Sequence, residues 1–435
     1  MRSRAWRPGP GGRSSPSARP EKCYPYRPSS TALSDNDLID ERRPVTDPIT
    51  PGLPEPPAAP PPSQTPLPPS LLPIGAAVDF PLGWLLDHAS APIQYRATID
   101  VARLPAQDIR RIGTLPYTYV PALSLALGQQ LDGTWGGSML EIPSARAHGF
   151  EGVGTITATR RLLEYGWEKE SPPLMRARRI LFRLLAEDED PAFLFELAPG
   201  KGRNDPVVTH IGRTTLREAA ASALAQAGYE SDPRLRGAAR RIVDRLYLYL
   251  KSPLAQKPWV RAGNQQVLAP EAMPPSFHAL VMLAFMPLFR SEHYDVMERL
   301  FQYLSQPMPR QTPARLFGDK IVPQPHLLMG DPLPHRNAAD ADVPWALTWL
   351  EIASRMGYFR RHEGWAKLYD RFLDDRDEHG VWHPHKGLAV PRSANPLVWP
   401  SFPLESLHAG EERWSDVTFR LGVIGRFAGR QINVV

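Results

Sequence analysis

Four stretches of this chain repeat one layout, an apolar helix, a short break and a second amphipathic helix. They are "TATRRLLEYGWEKESPPLMRARRILFRLL" (157–185), "AAASALAQAGYESDPRLRGAARRIVDRLYLYL" (219–250), "FHALVMLAFMPLFRSEHYDVMERLFQYL" (277–304) and "WALTWLEIASRMGYFRRHEGWAKLYDRFL" (345–373). The breaks fall at Gly166-Trp167, Gly228-Tyr229, Pro287-Leu288 and Gly357-Tyr358, recurring roughly every 60 residues. Glycine past a helix end supplies a left-handed cap, proline stops a helix another way, and the aromatic after each glycine folds back on the preceding turn. In the second unit Ala239, Ile242, Val243, Leu246 and Leu250 form one apolar stripe at helical spacing. Leu216, Ala219, Ala220, Ala223 and Leu224 do the same with small side chains that permit close helix approach. No comparable run of alternating strands exists. The pattern predicts an all-α fold of stacked helical hairpins. Closing it into a ring, an α/α toroid, needs further pairs from 80–130 and 393–430.

The 50 prolines of the 435-residue chain are too many for one packed core. Thirteen of the thirty residues from Pro44 to Pro73 are proline, which favours an extended polyproline II spacer. Residues 1–43 lack an apolar period and read as a disordered basic tail. The expected organisation is therefore a tail over 1–43, a proline-rich linker over 44–79 and a helical domain over 80–435.

The net charge of +5 is located in that tail, where residues 1–30 hold seven Lys/Arg against one acid, Glu21. The rest of the chain is close to neutral and makes no electrostatic case for nucleic acid. The basic head leads into Pro and Ser rather than a signal peptide's apolar stretch, and "HALVMLAFMPLF" (278–289) is too short to span a bilayer. The single cysteine, Cys23, sits in the tail, so the domain has neither an internal disulfide nor a cysteine-bound zinc site. A cytoplasmic protein without a cofactor is the expectation.

One short motif narrows the fold further. In "LALGQQLDGTWGG" (125–137), Asp132-Gly133 makes a tight turn after a helix and Trp135 lies against that helix's end. Gln129 is placed to bond backbone groups of the next hairpin. Leu125, Gln129, Gly133 and Trp135 in this spacing resemble the aromatic–glutamine repeat of squalene–hopene-type terpenoid cyclases and their protein-prenyltransferase relatives. Phe372, Arg376, Gly380 and Trp382 resemble a second copy with arginine in place of glutamine. "WLLDHASAPIQYRATIDVARLP" (84–105) also resembles the entry segment of bacterial proteins of that superfamily. The resemblance, from about Phe80 onward, implies an α/α toroid around a central apolar cavity for an isoprenoid-type ligand. Prenyltransferase-type zinc binding lacks its cysteine here, and no metal site is expected.

The candidate chemistry lies in "NAADADVPWALTWLEIA" (337–353), which resembles the acid motif of class II terpenoid cyclases. The resemblance puts the proton donor on Asp342 with Asp340 assisting; Val343 stands where the motif has its last carboxylate. Two nearby carboxylates can raise one pKa and keep a proton for general acid catalysis. Against this, Asp342 before Val-Pro-Trp also reads as a helix N-cap bonded to the Trp345 amide. Trp345 and Trp349 share a helix face that suits either a carbocation-stabilising wall or ordinary core. His278, at the start of an apolar helix, is a ligand-binding candidate or a satisfied core histidine. "DDRDE" (374–378), with His379, His383 and His385 beside it, reads as a charged surface turn. Arg160, Arg161, Arg176, Arg178, Arg179 and Arg183 are expected to line solvent, unless a convergent subset binds an anion. The long connection from Ser305 to Val343 leads to the two aspartates and has the length of a gating or binding loop.

Three functions remain open from the sequence: a cyclase-like enzyme or apolar-ligand binder, a carbohydrate-active toroid, and a helical-repeat scaffold. The scaffold would grip a protein partner through its concave face or through "PEPPAAPPPSQTPLPP".

Overall fold

The computed structural model describes residues 71–144, 146–186, 206–309, 311–384, 391–405 and 413–435. The tail expected over 1–43 and the linker up to residue 70 lie outside the described residues. Helices make up about 54% of the described residues, which makes the fold mostly α.

After β1 (Val78–Phe80) come α1 (Leu82–His88), α2 (Ala91–Arg96), a π-helical turn (Ala97–Ala102), α3 (Ala106–Ile112), α4 (Leu115–Thr118) and α5 (Val120–Leu127). The helical pairs follow: α6 (Thr155–Glu164) and α7 (Pro172–Leu185), then α8 (Pro206–Gln226) and α9 (Pro233–Lys251). A hairpin of β2 (Trp259–Ala262) and β3 (Gln265–Leu268) leads into α10 (Phe277–Ala284), α11 (Pro287–Glu292) and α12 (Tyr294–Leu304). A second hairpin, β4 (Ala314–Phe317) and β5 (Lys320–Pro323), precedes α13 (Arg336–Ala341), α14 (Val343–Arg355) and α15 (Glu363–Asp374). Last are α16 (Arg413–Phe427) and β6 (Ile432–Val434), which pairs in parallel with β1.

Three of the four breaks are built alike. Gly166, Gly228 and Gly357 take φ of 86°, 80° and 75°. The next amide in each case, on Trp167, Tyr229 or Tyr358, donates to the carbonyl five residues back, at Leu162, Leu224 or Ala353. This is the Schellman C-cap that the glycines predict. The aromatic side chains then reach the neighbouring hairpin. Trp167 Nε1 donates to the Pro116 carbonyl at 3.1 Å and the Tyr358 hydroxyl to the Met297 carbonyl at 2.7 Å, while Tyr229 meets Phe182 edge-on. Pro287 works differently, as the first residue of α11.

Helix-on-helix packing follows one succession. The π-helical turn after α2 packs on α16, α16 on α14, α14 on α10, α10 on α8 and α8 on α6. From α6 the contacts pass through α5 and α4 back to α2. On their other side α7 packs with α9 and α9 with α12. The small residues Ala219, Ala220 and Ala223 are fully buried where α8 meets its neighbours.

Both copies of the tryptophan motif are clasps. Gln129 Nε2 donates to Gly133 O at 3.0 Å and across to Pro173 O, in the first turn of α7, at 2.9 Å. Arg376 does the equivalent with a guanidinium, from Nε to Leu373 O at 2.9 Å and from Nη1 to Asp79 O of β1 at 2.7 Å. Trp135 N–H donates to Thr155 Oγ1 and Trp382 N–H to Thr418 Oγ1, each at 3.0 Å. Both indoles are 1% exposed. Trp135 Nε1 donates to Leu125 O at 2.7 Å, against the end of α5 as expected. Gly133 (φ 93°) and Gly380 (φ 81°) could carry no side chain without crowding the backbone of Arg176 and of Asp79, at 3.2 and 3.3 Å.

Three expectations need correction. The Ser305–Val343 connection is no bare loop, since it carries the β4–β5 hairpin and α13. Among the described residues, 393–430 supply one helix, α16, after an irregular segment over 391–405, where a hairpin was expected. Arg160 and Arg161 are buried, 6% and 3% exposed, because their positions on α6 face neighbouring elements rather than solvent.

Candidate functional site

The two aspartates have different hydrogen-bond partners. Asp342 caps α14: Oδ1 accepts the Trp345 amide at 2.9 Å and Oδ2 accepts the Ser393 hydroxyl at 2.7 Å. Asp340, near the end of α13, accepts from Arg371 and, at 3.3 Å, from Arg336. Each carboxylate has its own donors.

The aromatic candidates part company as well. Trp345 is half-buried and tilts against Phe277 of α10, ring centroids 5.6 Å apart. Trp349 is 1% exposed and meets Trp365 of α15 edge-on at 5.6 Å. His278 is buried in the first turn of α10, stacked over His326 at 6.3 Å, and its Nδ1 has no hydrogen-bond partner. Burial first, then the nearness of His326 and Arg160, pushes its pKa well down, so the ring is neutral.

Sequence reading missed the strongest electrostatic feature, a buried ion network joining four elements. Arg420 of α16 donates to Glu351 of α14 at 2.8 Å and to Glu164 of α6 at 2.5 Å. Arg96 of α2 also binds Glu164, and Arg355 binds Glu351 at 2.9 Å. Gln226 of α8 links Glu164 (2.6 Å) to Arg160 (3.0 Å). Burial works to raise the pKa of both glutamates, but the guanidiniums overcome it and hold Glu164 and Glu351 below the usual carboxylate range. Burial pushes Arg160 down to about 10, opposed by Glu164 and Glu351. The glutamates fall at helical spacing among apolar residues, and that interruption was the available signal.

The segment 391–405 is strapped to the helices at the Asp342 end. Arg161 donates to the carbonyls of Trp399 (2.8 Å) and Pro403, Arg420 to Ser401 O (2.6 Å) and Tyr119 to Leu404 O (2.9 Å). Asp416, wholly buried in α16, accepts the amides of Leu404 (2.9 Å) and Glu405 (3.1 Å). Burial raises its pKa against those two donors.

At the "DDRDE" turn, Asp377 accepts the amides of His379 and Val381, both at 2.9 Å, and meets His383 Nε2 at 2.7 Å. His385 lies outside the described residues. Among the described residues no group of three or more His, Cys, Asp or Glu is placed to hold a metal ion, and no helix is long and apolar enough to cross a membrane.

No protein-family model, curated protein or solved structure matches the chain.

Proposed function

We propose that the chain is an α/α toroid that acts as a protein-interaction scaffold. The succession of helix contacts that leaves α2 and returns to it supports the ring, as does the β1–β6 pair joining first and last strands. The two clasps, each tying a helix end to the next element, are what a ring of hairpins requires.

One observation carries the functional reading. Val120, Leu123 and Leu127 of α5, with Leu131 in the following turn, form an apolar row 73%, 37%, 85% and 101% exposed. Their spacing of three and then four residues puts the helical members on one face. A row of that kind, beside a polar surface, suits the apolar face of a partner helix or strand. Burying each side chain would contribute at most about 1.5–3 kcal/mol.

An acid-initiated cyclase, or a glycosidase using the same carboxyls, needs Asp342 or Asp340 to hold and release a proton. Both instead serve as acceptors to fixed donors, which favours recognition over catalysis. The proline-rich partner site lies outside the described residues.

The test pairs the wild type with Leu127→Glu/Leu131→Glu in affinity capture, with sedimentation velocity for self-association. The scaffold reading expects a partner, or a second copy, that the wild type holds and the variant loses at unchanged Tm. Identical capture and sedimentation would sink it. Mass spectrometry of organic extracts of the wild type addresses the cyclase reading, for which a co-purifying polyisoprenoid would count.

A further inference from the structure

A second polar feature lies where α8 and α9 meet β4 and the residues after β5. A narrow pocket of about 20 Å³ is lined by Thr214, Thr215 and Glu218 of α8 and by Arg245, Arg315 and His326, among others. Its charges do not balance. Glu218, 4% exposed, is already satisfied: one oxygen takes the Arg245 guanidinium and the other the Ser276 hydroxyl at 2.5 Å. Arg315 of β4 is also 4% exposed, but its terminal nitrogens meet only neutral acceptors. These are the carbonyls of Ala269 (3.4 Å), Pro270 (3.3 Å) and Ala272, and the Met273 sulfur (3.5 Å). Its Nε–H has no acceptor at all. Among the described residues no carboxylate pairs with Arg315.

A guanidinium removed from water without a counter-charge is costly, and neutral carbonyls compensate only part of the loss. We propose that this pocket binds a small oxyanion, a carboxylate or phosphate group, through Arg315 and His326. Arg315 offers either group its charge and the one donor left without a partner, Nε–H. Burial and then the charge of Arg315 push His326 down to about 4, so its ring stays neutral near pH 7 and has an N–H to donate. Compact ligands are selected by the narrowness of the space. The proposal is independent of the scaffold reading, since neither α5 nor the clasps contribute to the pocket.

The experiment is calorimetric titration of the full chain with sodium phosphate and, separately, sodium acetate, against chloride at constant ionic strength. One saturable site for either probe is expected, and the two arms tell phosphate from carboxylate. Arg315→Gln should weaken it at least tenfold. Thr215→Met, which fills the pocket and keeps Arg315, should do the same, while the exposed Arg240→Gln should not. Absence of saturable binding in the wild type overturns the proposal, as does undiminished binding by either folded variant. If Arg315→Gln fails to fold, Thr215→Met decides.

Discussion

Asp342 shows how one residue can satisfy two patterns at once. A carboxylate before Val-Pro-Trp resembles an acid motif, and the same spacing caps a helix; the structure uses it as the cap. Asp342→Ala should therefore cost about 1 kcal/mol, read from urea unfolding, whereas Asp342→Asn keeps an acceptor and should cost a few tenths. A proton donor behaves the opposite way, losing activity in Asn with stability intact. His326 sets the pH response at this scale. Its folded pKa, about 4, lies below the ordinary 6.5, so the unfolded chain takes up the proton first. The stability from its neutral form is fully present above about 6.5 and is lost as pH falls toward 4, in total roughly 3 kcal/mol. His278, depressed in the same direction, adds to the loss. His326→Gln should flatten the fall in denaturant midpoint between pH 7 and 4.5; an unchanged slope would refute the assignment.

At the scale of elements, the clasps explain why an arginine can stand where glutamine is expected. Gln129 reaches two carbonyls with one amide, and Arg376 reaches two with separate guanidinium nitrogens. Arg376→Ala should cost about 1–2 kcal/mol, since it removes two charge-assisted bonds near the surface. Gly133→Ala should cost about 1–2 kcal/mol for its left-handed backbone alone, and more because its methyl meets Arg176. Thermal unfolding of both variants checks these values. The caps and clasps were legible in the sequence because their determinants are local. A Gly-aromatic pair or an Asp-Gly turn fixes backbone geometry within a few residues. The hairpin inside 305–343 was hidden by its prolines and glycines, and the strap over 391–405 has no periodicity to read; side chains far away in sequence hold it.

For the whole molecule, the ion network matters most, because it joins α2, α6, α14 and α16 across more than half the chain. Arg420→Met would leave Glu164 and Glu351 buried, close and without their shared cation. Removing one partner of such a group costs about 3–5 kcal/mol, a large part of a domain's usual 5–15. The expected readout is a much lower denaturant midpoint. Arg420→Lys keeps a cation between the glutamates and should lose less than Arg420→Met, and an equal loss would argue against the charge explanation.

Helical hairpins, their glycine caps and the tryptophan turns could be deduced from the chain alone, because periodicity and backbone freedom act over a few residues. Which buried glutamate meets which arginine depended on elements tens to hundreds of residues apart coming into contact. Electrostatic interactions act through space, so that pairing is invisible until the chain has folded.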